Sequence, residues 1–142
     1  MVKIRVILIT CFFCAYHLSW SQKTGIKDNT TYYLSSIVIG KQKNKLAKDK
    51  GHIVFNAKKN TAACFTSCNF IQLKYELKDH TLKFTSIVPD KDPCPDPLVG
   101  LENDFKENLP KVSAYAIQGK KLILLDKKDT LMIFYEMNPN QK

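Results

Sequence analysis

Beyond residue 21, the side chains whose types could do chemistry are Cys64, Cys68 and Cys94, His52 and His80, and the acidic cluster Asp90, Asp92, Asp96, Glu102 and Asp104. His52 opens a strand-like stretch and His80 sits in a turn. Neither has a nucleophile or an orienting carboxylate at motif spacing, so no catalytic residue is expected. A zinc site would need the three cysteines and one histidine, but their spacing lacks the compact Cys-x-x-Cys pairs of structural zinc modules. Calcium needs oxygen ligands at a regular spacing, and Pro93, Pro95 and Pro97 interrupt the acidic cluster. Asp96 as a helix cap and Glu102 near a helix start account for those acids by helix electrostatics. The chain is therefore read as non-enzymatic, with no metal and no cofactor.

The redox compartment follows from the start of the chain. Met1 to Ser21 has a basic start (Lys3, Arg5), an apolar run from Val6 to Leu18, and Ser19 and Ser21 flanking Trp20, the pattern of a signal peptide cleaved between Ser21 and Gln22. The run is shorter than the roughly 20 apolar residues that span a bilayer. Cys11 follows Leu8-Ile9-Thr10, but Thr10 is larger than a lipid-attachment site prefers, and lipid anchoring there is not expected. The protein is thus expected to be secreted or periplasmic. Removing 21 of the 142 residues leaves 121, enough for one domain. The net charge of +9, less the two basic residues of the leader, becomes +7.

Such a charge favours anionic partners, which outside the cytoplasm means lipid head groups, acidic glycans or acidic proteins before nucleic acid. Lys41, Lys43, Lys45, Lys48 and Lys50 form the most basic stretch and the best candidate for weak, salt-sensitive contact with an anionic surface. No aromatic residue interleaves with them, which argues against single-stranded nucleic acid.

In an oxidising compartment three cysteines imply one disulfide and one free thiol. Residues four apart in a strand are about 13 Å apart, too far for Cys64 to bond Cys68. Because both fall on one face of a strand read from Thr61 to Phe70, Cys68–Cys94 and Cys64–Cys94 both stay open. Linking Cys68 to Cys94 would stabilise the fold by roughly 3 to 4 kcal/mol on the loop-entropy argument.

The elements that must position these residues are mostly strands. Gln22 to Asn29 reads as a flexible lead-in, Tyr32 to Val38 as a first strand, Gly40 to Gly51 as a loop, and His52 to Phe55 as a strand. Leu73, Tyr75 and Leu77 alternate with Lys74, Glu76 and Lys78, and across the turn Asp79-His80 the residues Leu82 and Phe84 alternate with Lys83 and Thr85. That is a half-buried hairpin in which Glu76 faces Lys83. Val88 to Pro97 reads as a stiff connector, followed by a helix with Leu98, Leu101, Phe105 and Leu109 on one face, Glu102 and Lys106 outside, and Pro110 at its end. Val112 to Ile117, Lys121 to Leu125 and Thr130 to Tyr135 form a meander, with Gly119 supplying positive φ in its first turn. Asn138 to Lys142 is a polar tail.

The order Cys68-Asn69, a Tyr75-bearing hairpin with Leu82, Cys94, then Leu101-Glu102, Phe105 and Leu109, then Tyr115, Ile117, Gly119, Leu122, Leu124 and Phe134 resembles the META domain of HslJ-like bacterial envelope proteins. The likeness covers roughly Thr30 to Phe134, within a domain expected over residues 30–136. Ser67 stands where the family usually has glycine, Cys64 is additional, and the segment before Cys94 is richer in proline. The resemblance implies a mainly β (α+β) domain, a small antiparallel barrel-like sheet with one packed helix, a Cys68–Cys94 disulfide that leaves Cys64 as free thiol, and Asn69, Glu102, Phe105 and Gly119 as structural residues. It also implies an envelope role linked to stress tolerance, and it carries over no catalytic site. The function expected is a monomeric binding or stress-protective module acting on an envelope component or protein. The alternative is a carrier of small apolar molecules, with Ala62, Ala63, Ala114 and Ala116 leaving room inside a barrel.

Overall fold

Side chains that alternate between apolar and polar commit most of this chain to a sheet with one dry face. The computed structural model describes residues 25–39, 42–45 and 51–136. The segment Met1 to Ser21 read as a signal peptide, Lys41, Lys48, Lys50 and the residues from 137 onward lie outside the described residues. Among the described residues nine strands follow one another: β1 (Thr31–Ile39), β2 (Gln42–Lys45), β3 (His52–Asn56), β4 (Thr61–Phe65), β5 (Phe70–Lys78), β6 (Thr81–Pro89), β7 (Ala114–Gln118), β8 (Lys121–Asp126) and β9 (Asp129–Glu136). The helix α1 (Asp96–Asn108) and a 3₁₀ turn (Leu109–Lys111) stand between β6 and β7. The strands form one antiparallel sheet in the order β6-β5-β4-β3-β1-β9-β8-β7, with β2 on β1 beside β3. The fold is the mainly β, curled half-barrel with one helix that the sequence implied.

Curling brings the two ends of the sheet together at the β5–β6 turn. Tyr115 on β7 donates its backbone N–H to the His80 carbonyl at 3.1 Å and its hydroxyl to the Asp79 carbonyl at 3.1 Å. Inside, Tyr32, Leu34, Ile53, Phe55, Leu73, Tyr75, Leu122, Leu124 and Phe134 are buried, and α1 with the 3₁₀ turn sets Leu101, Phe105 and Leu109 on them. Phe105 is wholly buried, its ring 6.3 Å from that of Phe134. It also lies over Gly51, where an added Cβ would come within 3.2 Å of the Phe105 ring and 3.3 Å of the Phe65 carbonyl. Asn108 donates its amide to the Val38 carbonyl at 2.9 Å, which pins the helix end to β1.

Four boundaries differ from expectation. The stretch from Thr61 to Phe70 is two strands, because Thr66-Ser67-Cys68-Asn69 makes a turn with the Thr66 N–H donating to the Asn69 carbonyl at 2.9 Å. Val88 and Pro89 belong to β6, an edge strand where the missing proline N–H is tolerated. The loop from Gly40 contains β2, which carries the backbone of Lys43 and Lys45. Residues 25–29 are tied to the sheet, with Lys27 Nζ 2.6 Å from Glu136 and the Asp28 carboxylate accepting from the Ala57 N–H at 2.6 Å.

The expected hairpin register is present, with Glu76 opposite Lys83. Gly119 has φ +60 with open space around it, so a side chain there would be strained by backbone alone. Gly119→Ala is expected to cost about 1 kcal/mol. Gly51→Ala is expected to cost about 1 to 3 kcal/mol, because Phe105 must shift from its seat. Chemical denaturation of both variants measures these losses.

Candidate functional site

The turn after β4 and the helix start are joined by a disulfide and a buried polar cluster. Cys68 and Cys94 are bonded, with Cα atoms 5.9 Å apart. Ser67 takes φ +73, a conformation glycine adopts without steric cost. Asn69, 4% exposed, donates its amide to the Asp92 carbonyl at 2.8 Å and to Glu102 Oε2 at 2.9 Å. Glu102 is itself only 6% exposed and forms an ion pair with Lys106, one turn further on. Cys94 Sγ lies 3.2 Å from Glu102 Oε2 and, as a disulfide sulfur, has no proton to donate there. The Lys106 ammonium, joined by the Asn69 amide, holds the Glu102 carboxyl below the usual carboxylate range against the opposing effect of burial. Glu102 is therefore an inward anchor and not the solvent-facing residue that its spacing from Lys106 suggested.

Other expected positions also shift. Asp96 is the first residue of α1 and Pro95 holds the cap position, so no side chain caps the helix there. Cys64 is buried on β4 and faces inward, whereas Cys68 lies in the turn, so the two share no strand face. Burial raises the Cys64 thiol far above its ordinary range. With Cys68 and Cys94 bonded, neither offers a thiolate to a metal. Ala62 faces the interior, while Ala63, Ala114 and Ala116 are only half-buried.

A feature missed in the sequence lies on the outer face of the sheet. Lys121, Tyr135, Tyr33, His52, Phe65 and Phe70 occupy one register row across β8, β9, β1, β3, β4 and β5. Neighbouring rings are close: Tyr33 to His52 is 5.7 Å, His52 to Phe65 5.2 Å and Phe65 to Phe70 5.1 Å between centroids. Lys121 Nζ stands 5.6 Å over the Tyr135 ring. Burial among these rings lowers the His52 pKa, so the imidazole is neutral at pH 7. The row ends at Phe70, 41% exposed on β5. Its members are scattered along the chain, and only strand pairing assembles them.

Beside the row, the faces of β4, β5 and β6 hold a shallow depression of about 190 Å³ lined by Thr61, Gln72, Leu73, Lys74, Ser86 and Val88. It sits next to a register shift after Lys74 on β5.

Two outcomes check the cluster at the helix start. Because the folded-state pKa of Glu102 is lowered, its contribution is fully present above the ordinary carboxylate range and is lost as pH falls through the lowered value. Glu102→Gln is expected to cost about 1 to 3 kcal/mol at pH 7 and to flatten the acid limb of the stability curve. Denaturation followed from pH 7 to pH 2 reads both. Peptide mapping after alkylation is expected to find Cys64 unlabelled in the native protein and labelled only after unfolding.

Comparison with known proteins places these features. The chain resembles an NMR structure of a protein from Burkholderia xenovorans (TM-score 0.64, 17% identity, covering 78% of this chain and 83% of that one). It also resembles a crystal structure of a DUF4847 family protein from Bacteroides vulgatus (TM-score 0.54, 16% identity, covering 80% of this chain and 97% of that one). At these identities the likeness is one of fold. No curated protein matches the chain. The META domain family model matches residues 25–138, which takes in the whole sheet, the helix and the disulfide-linked turn, and the chain belongs to the META domain family.

Proposed function

We propose that this META domain protein is a non-enzymatic binding module of the bacterial envelope, exported by the segment Met1 to Ser21 and docking its target on the outer face of the sheet. The observation that carries the reading is the aromatic row from Tyr135 to Phe70, set on the face of the sheet turned away from the core. On a half-wetted sheet the outward positions are normally polar, and contiguous apolar surface marks a contact site. The absence of an enzymatic role is supported by the work the titratable groups already do: Glu102 anchors the helix, His52 is packed among rings, and Cys64 is sealed in the core. Export is supported by the disulfide, since such bonds persist in oxidising compartments. Lys41, Lys43, Lys45, Lys48 and Lys50 form the most basic stretch of the sequence and suit an anionic envelope surface.

Expression of the full chain in a Gram-negative host tests this. The expected product begins at Gln22, fractionates with the periplasm or medium, and is retained on washed envelope fractions. Phe70→Ser is expected to lower that retention by about fivefold or more. An intact leader on a cytoplasmic product would overturn export, and equal retention of wild type and variant would overturn the sheet-face reading.

A further inference from the structure

The depression on β4, β5 and β6 has a composition that selects among ligands. Register sets its layout: Thr61, Lys74 and Ser86 lie in one row, Ala63, Gln72 and Val88 in the next, and Phe65 and Phe70 in the one after. A cation and two hydroxyls therefore stand on one side, an amide beside a methyl-sized residue in the middle, and apolar surface on the other. Val88 beside Gln72 in the middle row is 56% exposed and Phe70 in the last row 41% exposed, so apolar surface in both rows is open to a ligand. Lys74 forms no ion pair among the described residues, and no acidic side chain lines the depression; beyond its far end the Asp90 carboxylate accepts from the Phe70 N–H at 3.3 Å.

Each simpler ligand leaves part of this surface unused or unsatisfied. An acyl chain laid from Lys74 to Phe70 would cover the Gln72 amide and the hydroxyls of Thr61 and Ser86 without replacing their hydrogen bonds with water. A small inorganic anion would engage Lys74 and leave Val88 and Phe70 bare. A pyranose carrying a carboxylate matches all three rows, with its acid on the ammonium, its hydroxyls on the amide and hydroxyl groups, and its C–H face on the apolar side. Phe70 and Lys74 are four residues apart on β5, about 13 Å, which gives room for a short oligosaccharide.

We propose that the outer face of β4, β5 and β6 binds an acidic oligosaccharide, its carboxylate paired with Lys74 and its sugar rings running over Gln72 toward Phe70. The net charge of +7 beyond residue 21, from +9 less Lys3 and Arg5, complements such a polyanion and speeds its capture. This rests on the reading of the outer sheet face as the binding surface and names the chemistry of its partner.

The test is an amide NMR titration of the disulfide-bonded protein with a trimer of galacturonic acid, with a neutral glucose trimer, and with vesicles containing phosphatidylglycerol. The expected result is saturable shifts at residues 61–63, 70–74 and 86–88 with the acidic trimer. Binding should be about tenfold weaker for the neutral trimer and for Lys74→Gln, and several-fold weaker for Phe70→Ala. Both substitutions are at the surface, and dispersed spectra confirm that the variants fold. No shift with the acidic trimer, shifts elsewhere in the chain, or affinity unchanged in Lys74→Gln overturns the proposal. Binding to vesicles alone overturns it in favour of a lipid surface. If the trimer fails while Phe70→Ser still loses envelope retention, the ligand class falls and the docking face stands. If that variant keeps full retention, the docking face falls as well.

Discussion

A carboxylate taken out of water must be met by donors, and the meeting of Glu102 with Asn69 and Lys106 decides how the helix sits on this sheet. Asn69 belongs to the turn between β4 and β5, and its amide also holds the Asp92 carbonyl on the proline-rich approach to α1. One side chain thus fixes a turn, a connector and a helix at once. The disulfide from Cys68 to Cys94 spans the same junction and limits how far these parts separate in the unfolded chain. With the helix placed, Phe105 and Leu109 fill the concave side of the curled sheet, and Gly51 allows the close approach that Phe105 needs.

The two faces of the sheet carry different side chains. The inner face is filled by aromatic and branched side chains, with Phe55, Phe105 and Phe134 among the largest that are wholly buried. The outer face carries the lysines expected of a strand surface, and among them the aromatic row and the depression beside it.

Much of the fold was legible because alternation and helical spacing are local. The hairpin with Glu76 opposite Lys83, the turn at Gly119 and the stripe of Leu101, Phe105 and Leu109 are each written within a dozen residues. The misreadings arose where local pattern and tertiary context part. Small residues from Thr61 to Ser67 continue a strand-like alternation through what is a turn. Glu102 and Lys106 at helical spacing look like an exposed pair, and only the arrival of Asn69 from another element makes the glutamate an inward residue. The outer aromatic row was invisible for a related reason. Tyr33, His52, Phe65, Phe70 and Tyr135 belong to five separate segments of the sequence, and their alignment depends on five strands and their registers.

The inward placement of Cys64 bears on how the chain matures. Beyond residue 21 three thiols offer three pairings, and Cys64 is only four positions from Cys68, close enough in an unfolded chain to compete for the same partner. Once β4 packs between β3 and β5, Cys64 is enclosed and a single pairing remains. In the folded sheet Cys64 is enclosed while Cys68 and Cys94 stand 5.9 Å apart between Cα atoms, so oxidation of the folded chain has one outcome.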